Sequence, residues 1–307
     1  MRILVLGAGG VGGYFGGRLV EKGADVTFLV RSQRKKQLEE EGLVISSING
    51  DFKFRPVLIT TEDSDTAGAY DLVLFSTKAY HLQAAIQDLK PFIGEQTVIL
   101  PLLNGVAHYP VLQREFGEDK VIGGLCFIET TLNREGHIVQ TSKADIVRYG
   151  EFENKQTDRI QRIEQVLSGA LPSFIRSEFI EQDIWHKYLY IATIAGVTTL
   201  MRSALGPIRE SKGGRDFIQH LFQEIEGIML EHGAPLDHDI VTKHMQTMDK
   251  SSDEMKSSML RDMEKGLDIE AAHLHGYLLK LAGDYSIEAP FLQAVNQNLL
   301  VYEGARV

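Results

Sequence analysis

The chain is poor in cysteine and tryptophan, has no long apolar run, and carries no excess of positive charge. One cysteine and one tryptophan occur in 307 residues. A lone thiol excludes an internal disulfide, and a reducing compartment is expected. Cys126 lies in an apolar segment with no histidine tied to it by spacing, so it reads as a small buried hydrophobe rather than a nucleophile. No stretch approaches the roughly 18 apolar residues that span a bilayer, and the apolar run after Arg2 breaks at glycines too soon for a secretory leader. A cytoplasmic protein without a membrane partner is expected. Lys and Arg total 32 against 42 Asp and Glu, a formal net charge of -10. That balance argues against nucleic acid, whose phosphates need a basic surface.

What the chain does have begins at once. MRILVLGAGGVGG runs from an apolar strand straight into Gly7, Gly9 and Gly12, the G-x-G-x-x-G spacing of a dinucleotide site. Each glycine has a physical task there: a sharp turn at Gly7, close approach of the Gly9 backbone to a pyrophosphate, and tight helix-on-sheet packing at Gly12. The phosphates would sit at the positive end of the helix that follows. A second strand, Asp25 to Val30, leads into Arg31, where a cofactor with a free ribose 2′-hydroxyl would call for Asp or Glu. A guanidinium there pairs with a 2′-phosphate, and Arg34, Lys35 and Lys36 add positive field, which selects NADP(H). The bland alternative is a solvated helix start.

With 43% hydrophobic and 24% charged residues, the chain has the composition of a globular protein long enough for two domains. Strands and helices alternate through the first half, the pattern of a parallel sheet covered on both faces. Expected elements are a hairpin between Leu43 and Thr60 with a type I′ turn at Asn49-Gly50, a strand Asp71 to Ser76, a helix from about Tyr80 to Leu89, and a strand Thr97 to Leu100. Further strands are expected at Val121 to Thr130, His137 to Gln140 and Asp145 to Tyr149, with a helix near Asp158 to Ser168. From about Phe179 the pattern is helical throughout. The expected class is α/β, with a Rossmann-type doubly wound sheet over residues 1–178 followed by an all-α domain over 179–307.

Ligands of an open α/β sheet bind beyond the carboxyl ends of its strands, where Lys78 and Asn104 stand. Each has a plain alternative, a solvated helix start and a strand-ending turn. Reducing a carbonyl by hydride also needs a proton donor. Lys187 enters a helix that is strongly apolar from Leu189 to Leu200, and partial desolvation lowers the pKa of an ammonium toward neutrality; the alternative is a lysine that snorkels. Ser257-Ser258-Met259 opens a short helix ended by Gly266, and Glu270 opens the next, positions that also suit a cap and a dipole partner. His273 and His275, two apart on a helix, make a poor metal pair. His232, His238 and His244 lack ligand spacing, so chemistry without a metal is expected.

Together these segments resemble the ketopantoate reductase (2-dehydropantoate 2-reductase) family over essentially the whole chain. The resemblance is carried by GAGGVGGYFGGRL, STKAY around Lys78, LLNGV around Asn104, IWHKYLY around Lys187 and SSMLRDMEKGLDIE from Ser257 to Glu270. It implies NADP(H) held by Gly7, Gly9, Gly10, Val11, Gly12, Arg31, Lys78 and Asn104. It implies Lys187 as general acid, Glu270 as the group that binds the new hydroxyl, and Asn104 and Ser258 as substrate contacts, in a monomer or homodimer. The family reaction reduces ketopantoate to D-pantoate, a precursor of pantothenate.

The chain also departs from the family. Asparagines usually stand four and eight residues after the lysine, on the substrate side; here those positions are Ile191 and Ala195. Leu274-His275-Gly276 replaces Ile-Asn-Gly, and Ala271 and Ala272 stand where an Asp usually follows the glutamate. Losing two amides costs about 1–3 kcal/mol each if they bond substrate, and leaves a more apolar pocket. The leading expectation is NADPH-dependent reduction of ketopantoate. The alternatives are a different, more apolar 2-keto acid, or a non-catalytic NADP(H)-binding protein on the same fold.

Overall fold

The computed structural model describes residues 1–306. The chain forms two compact units, one of Met1–Leu103 with His108–Glu181, the other of Asn104–Ala107 with the chain from Gln182 onward. The class is α/β, a Rossmann-type parallel sheet followed by a helical unit.

In the first unit, β1 (Arg2–Leu6) is buried after its first residue. A strand apolar on both faces belongs inside a parallel sheet covered on both sides. It pairs in parallel with β2 (Asp25–Leu29), Arg2 opposite Asp25 and Leu6 opposite Leu29, and α1 (Gly10–Glu21) makes the crossover. After α2 (Ser32–Glu41) comes the hairpin of β3 (Leu43–Ser47) and β4 (Phe52–Phe54). Its turn differs from the expected type I′ at Asn49-Gly50. The Gly50 amide closes onto the Ser47 carbonyl at 3.0 Å, so Ile48 and Asn49 are the central residues. Only Gly50 takes a positive φ, +110°; a glycine following the turn carries the left-handed step, which spares Asn49 from it.

β5 (Val57–Ile59) then joins β2 in parallel, and a short α3 (Ser64–Ala67) leads to β6 (Tyr70–Phe75). The helix expected from Tyr80 starts as a 3-10 turn over Ala79–His81 and becomes α4 (Leu82–Leu89) before β7 (Ile93–Pro101). The parallel sheet has the order β5-β2-β1-β6-β7. The rest of the unit comprises α5 (His108–Phe116), β8 (Gly123–Phe127), β9 (Thr130–Leu132), β10 (Ile138–Gln140), β11 (Ile146–Gly150), α6 (Asp158–Leu167) and β12 (Ser173–Arg176). These strands build two further sheets, β4-β3-β10-β9 and β12-β11-β8.

The second sheet explains why α1 is so rich in glycine. A Cβ on Gly12 or Gly16 would press on Val5, and on Gly16 also on Phe28, both in the parallel sheet; on Gly13 or Gly17 it would press on Ile138 or Ile45 of the second sheet. Residues four apart share a helix face. The pairs 12/16 and 13/17 therefore thin two adjacent faces, and α1 lies sandwiched between two sheets.

The second unit takes α7 (Ile180–Met201) from Gln182 onward, then α8 (Leu205–Glu210), α9 (Gly214–Glu231), α10 (Ile240–Asp249), α11 (Ser258–Glu264), a π turn over Ala272–Gly276, α12 (Tyr277–Asp284) and α13 (Pro290–Gly304). Among the described residues no strand follows β12. Thr193, Thr198 and Thr199 are fully buried in α7. Their hydroxyls donate to the carbonyls of Leu189, Ile194 and Ala195, four residues back, at 2.9, 2.7 and 2.6 Å, which satisfies them without breaking the helix. Among the described residues no helix is long and apolar enough to cross a membrane.

Candidate active site

The loop between β1 and α1 presents backbone. Gly7 has φ +96°, a conformation that costs a residue with a Cβ, and its amide donates to the Leu29 carbonyl at 3.1 Å. A Cβ on Gly12 would collide with Ser76 Oγ and the Gly7 carbonyl, whereas one on Gly9 would meet nothing within 4 Å. Gly12 is thus required by packing, while Gly9 faces open space at a helix start that has no side-chain cap. Gly10 lies against Thr130, Val11 packs on the unit's core, and the buried Thr77 hydroxyl at the end of β6 has no partner. Uncapped first-turn amides with open space before them and an orphan hydroxyl nearby fit a dinucleotide pyrophosphate.

The basic residues after β2 divide by partner. Arg34 donates to the carbonyls of Ala8 at 3.1 Å and Gly136 at 2.9 Å and to Gln37 Oε1 at 2.6 Å, and burial lowers its pKa from the ordinary value. It braces the glycine loop from behind. Lys35 pairs with Asp63 at 3.3 Å. Arg31 and Lys36 remain exposed, Arg31 at the N-cap position of α2. Lys78 is exposed after β6, at the N-cap of the 3-10 turn.

The second cluster lies within the helical unit. Asn104 stands beyond the end of β7, and Asn104–Ala107 cluster with the helices rather than with the parallel sheet. Lys187, in the third turn of α7 and only 8% exposed, donates from Nζ to Asn104 Oδ1 at 3.0 Å across 83 residues of sequence. Lysine can only donate, so the amide's oxygen faces it. The backbone carbonyl of Asn104 accepts from His273 Nε2 at 2.9 Å. Burial lowers the His273 pKa, opposed by the nearby Glu270 carboxylate and by the bond to Asn104. Glu270 precedes the helical segment that starts at Ala271, widens into the π turn and continues as α12.

Two further bonds tie that turn to α7. The Tyr188 hydroxyl donates to the Leu274 carbonyl at 2.5 Å, and His275 Nε2 meets the Ala192 carbonyl at 2.8 Å. His275 is fully buried, and burial pulls its pKa down to about 4. Ile191 and Ala195 follow Lys187 by four and eight residues, on the same face of α7. Ala195 is buried and Ile191 is partly exposed. Ser257 caps α11, accepting from the Leu260 amide at 3.0 Å, and meets the Thr198 hydroxyl at 2.8 Å. Ser258, the first residue of α11, is exposed.

The structure therefore brings Asn104, Lys187 and Glu270 into one unit with His273, which bonds the Asn104 carbonyl and feels the Glu270 charge. It places Gly7, Gly9, Gly10, Val11, Gly12, Arg31 and Lys78 in the other. Sequence reasoning did not single out Thr77, the bracing role of Arg34 or the bond of His273. Only His273 left a trace, as a polar residue three positions after Glu270, one helical turn away. Among the described residues no three His, Cys, Asp or Glu side chains gather as a metal site.

A family model described as "Ketopantoate reductase PanE/ApbA" matches residues 3–154, and "Ketopantoate reductase PanE/ApbA C terminal" matches residues 179–303. A Bacillus subtilis (strain 168) protein named uncharacterized oxidoreductase YkpB is 46% identical over 306 residues, covering 100% of each chain. The crystal structure of 2-dehydropantoate 2-reductase from Geobacter metallireducens GS-15 matches with TM-score 0.87 and 25% identity, covering 97% of this chain and 99% of that one. The ternary structure of D-mandelate dehydrogenase with NADH and anilino(oxo)acetate shares the fold, with TM-score 0.89, 18% identity, and coverage of 100% of this chain and 99% of that one.

Proposed function

We propose that the chain, which belongs to the ketopantoate reductase family, is an NADPH-dependent reductase of a small 2-keto acid, with ketopantoate as first substrate and D-pantoate as product. The observation that carries this reading is the Lys187 ammonium, 8% exposed and held at 3.0 Å by Asn104 Oδ1. A desolvated, oriented proton donor is what carbonyl reduction needs from the protein. When bound, the nicotinamide supplies hydride to the keto carbon. Lys187 delivers the proton to the keto oxygen and regains one from solvent, so the product is the 2-hydroxy acid. Asn104, whose Oδ1 faces Lys187, turns its amide N–H groups away from the ammonium, toward an acceptor on substrate or cofactor. Glu270 accepts a hydrogen bond from the new hydroxyl, and the exposed Ser258 hydroxyl donates to the substrate.

The choice of the 2′-phosphorylated cofactor rests on Arg31, exposed where β2 ends while Arg34 and Lys35 are committed to other partners. A second reading, a 2-keto acid with a plain apolar side chain, is favoured by Ile191 and Ala195 on the Lys187 face, since neither bonds a substrate hydroxyl. The test is NADPH and NADH oxidation with ketopantoate and with branched aliphatic and aryl 2-keto acids. Ketopantoate turnover with NADPH supports the first reading; preference for an apolar acid supports the second; no turnover with any acid defeats both. Arg31→Ala is expected to raise KM for NADPH about tenfold or more and leave KM for NADH unchanged, the worth of a charge-assisted contact.

A further inference from the structure

Asn104 is held at two atoms by two different elements. Its side-chain Oδ1 accepts from Lys187 Nζ at 3.0 Å and its backbone carbonyl accepts from His273 Nε2 at 2.9 Å. A carbonyl has no proton to give, so the His273 nitrogen facing it is the protonated one, which sets the tautomer. The carbonyl belongs to the peptide shared with Gly105, whose φ is +76°. Glycine restrains a peptide plane less than any other residue, so the chain itself does little to orient this one. The fit around Gly105 is close: a Cβ there would stand 3.0 Å from Leu274 Cδ2, whose side chain would have to give, and 3.6 Å from the His273 ring. Lys187 is 83 residues away in sequence, and His273 is 169. The hydrogen bond from His273 thus orients the least restrained peptide in the turn that seats the ammonium.

We propose that His273 is a positioning residue: by holding the Asn104 carbonyl it fixes the turn whose side chain seats Lys187, and so sets the direction of proton delivery. It acts on the reaction through Asn104 and Lys187, and the inference rests on the reading of Lys187 as proton donor. The experiment compares His273→Gln, whose amide N–H can reach the position of Nε2, with His273→Asn, one carbon shorter, and His273→Leu, which has no donor. The leucine and asparagine variants should lose about tenfold in kcat, the size of one hydrogen bond, with KM for NADPH unchanged, and glutamine should restore most of the loss. Crystal structures of the leucine and asparagine variants should show Asn104 Oδ1 out of hydrogen-bond reach of Lys187 Nζ. Wild-type kcat in both, or a glutamine variant no better than asparagine, overturns the proposal. If the wild-type protein turns over no 2-keto acid, the functional reading fails and the crystal structures decide alone. Asn104 still bonded to Lys187 in the variants then overturns the positioning role, and its departure upholds it. If the leucine variant does not fold, the glutamine and asparagine pair carries the same comparison.

Discussion

The loop from Gly7 to Gly12 works through the absence of side chains, whereas the cluster around Lys187 works through their presence. In the first, the turn into α1 exposes backbone rather than side chains, and the requirement on its glycines is steric: a positive φ at Gly7, contact at Gly12, open space at Gly9. In the second, three distant stretches of chain each contribute one or two polar side chains, and their worth depends on angstrom-scale placement. The contrast teaches that the proposed site for a charged dinucleotide can be written locally, while the proposed proton-delivering site must be assembled by the fold.

Lys187→Ala is the most severe way to break that comparison. It is expected to lower kcat by about 10²- to 10⁴-fold, the range for loss of a general acid, while a fluorescence titration returns the wild-type Kd for NADPH. Loss of cofactor binding in the same variant would mean that the two regions are not separable. Acidification is next in size. His275 titrates near 6.5 when unfolded and is held down to about 4 in the fold. The unfolded chain then binds the extra proton first, so this stability is complete above about pH 6.5 and is lost as pH falls toward 4, by about 3 kcal/mol. His244, also lowered to about 4, acts in the same direction. Thermal melting between pH 7 and 4 measures the loss, and His275→Gln, which keeps a donor but does not titrate, should flatten the profile. An unchanged slope in that variant would remove His275 as its source.

The smallest effect sharpens the comparison within the loop itself. Gly12→Ala forces a Cβ into Ser76 and the Gly7 carbonyl and should cost about 1–3 kcal/mol of stability, as overpacking does. Gly9→Ala should melt like the wild type yet bind NADPH more weakly, because its methyl enters the space left for phosphate. Equal melting losses in both would show that the two glycines serve one structural purpose.

The parts legible in the sequence were those carried by neighbouring residues. The strand at Arg2–Leu6, its turn and α1 lie within a continuous segment, so apolar run, glycine spacing and helix start could be read together. β5 and β9 were harder, because three-residue strands show hardly one period of alternation. The second glycine pair of α1, Gly13 and Gly17, had no visible reason until the sheet containing Ile45 and Ile138 was seen against it. The turn at Asn49 was misread because the dipeptide preference for type I′ competes with a longer loop ending in a lone left-handed glycine. In the candidate site, Lys187 and Asn104 stood out by chemistry and context, and Glu270 through the family resemblance. His273 did not, since no pattern in sequence reveals that its ring reaches a carbonyl 169 residues earlier.

The sequence by itself determined the parallel sheet, the glycine loop and the apolar helix that carries Lys187, because strand burial, backbone freedom and helical periodicity are properties of a few adjacent residues. Only the tertiary structure decided that Asn104 joins the helices, that its amide oxygen faces Lys187 and that His273 holds its carbonyl. Those contacts are made by single atoms between distant segments, whose meeting is set by the packing of whole helices.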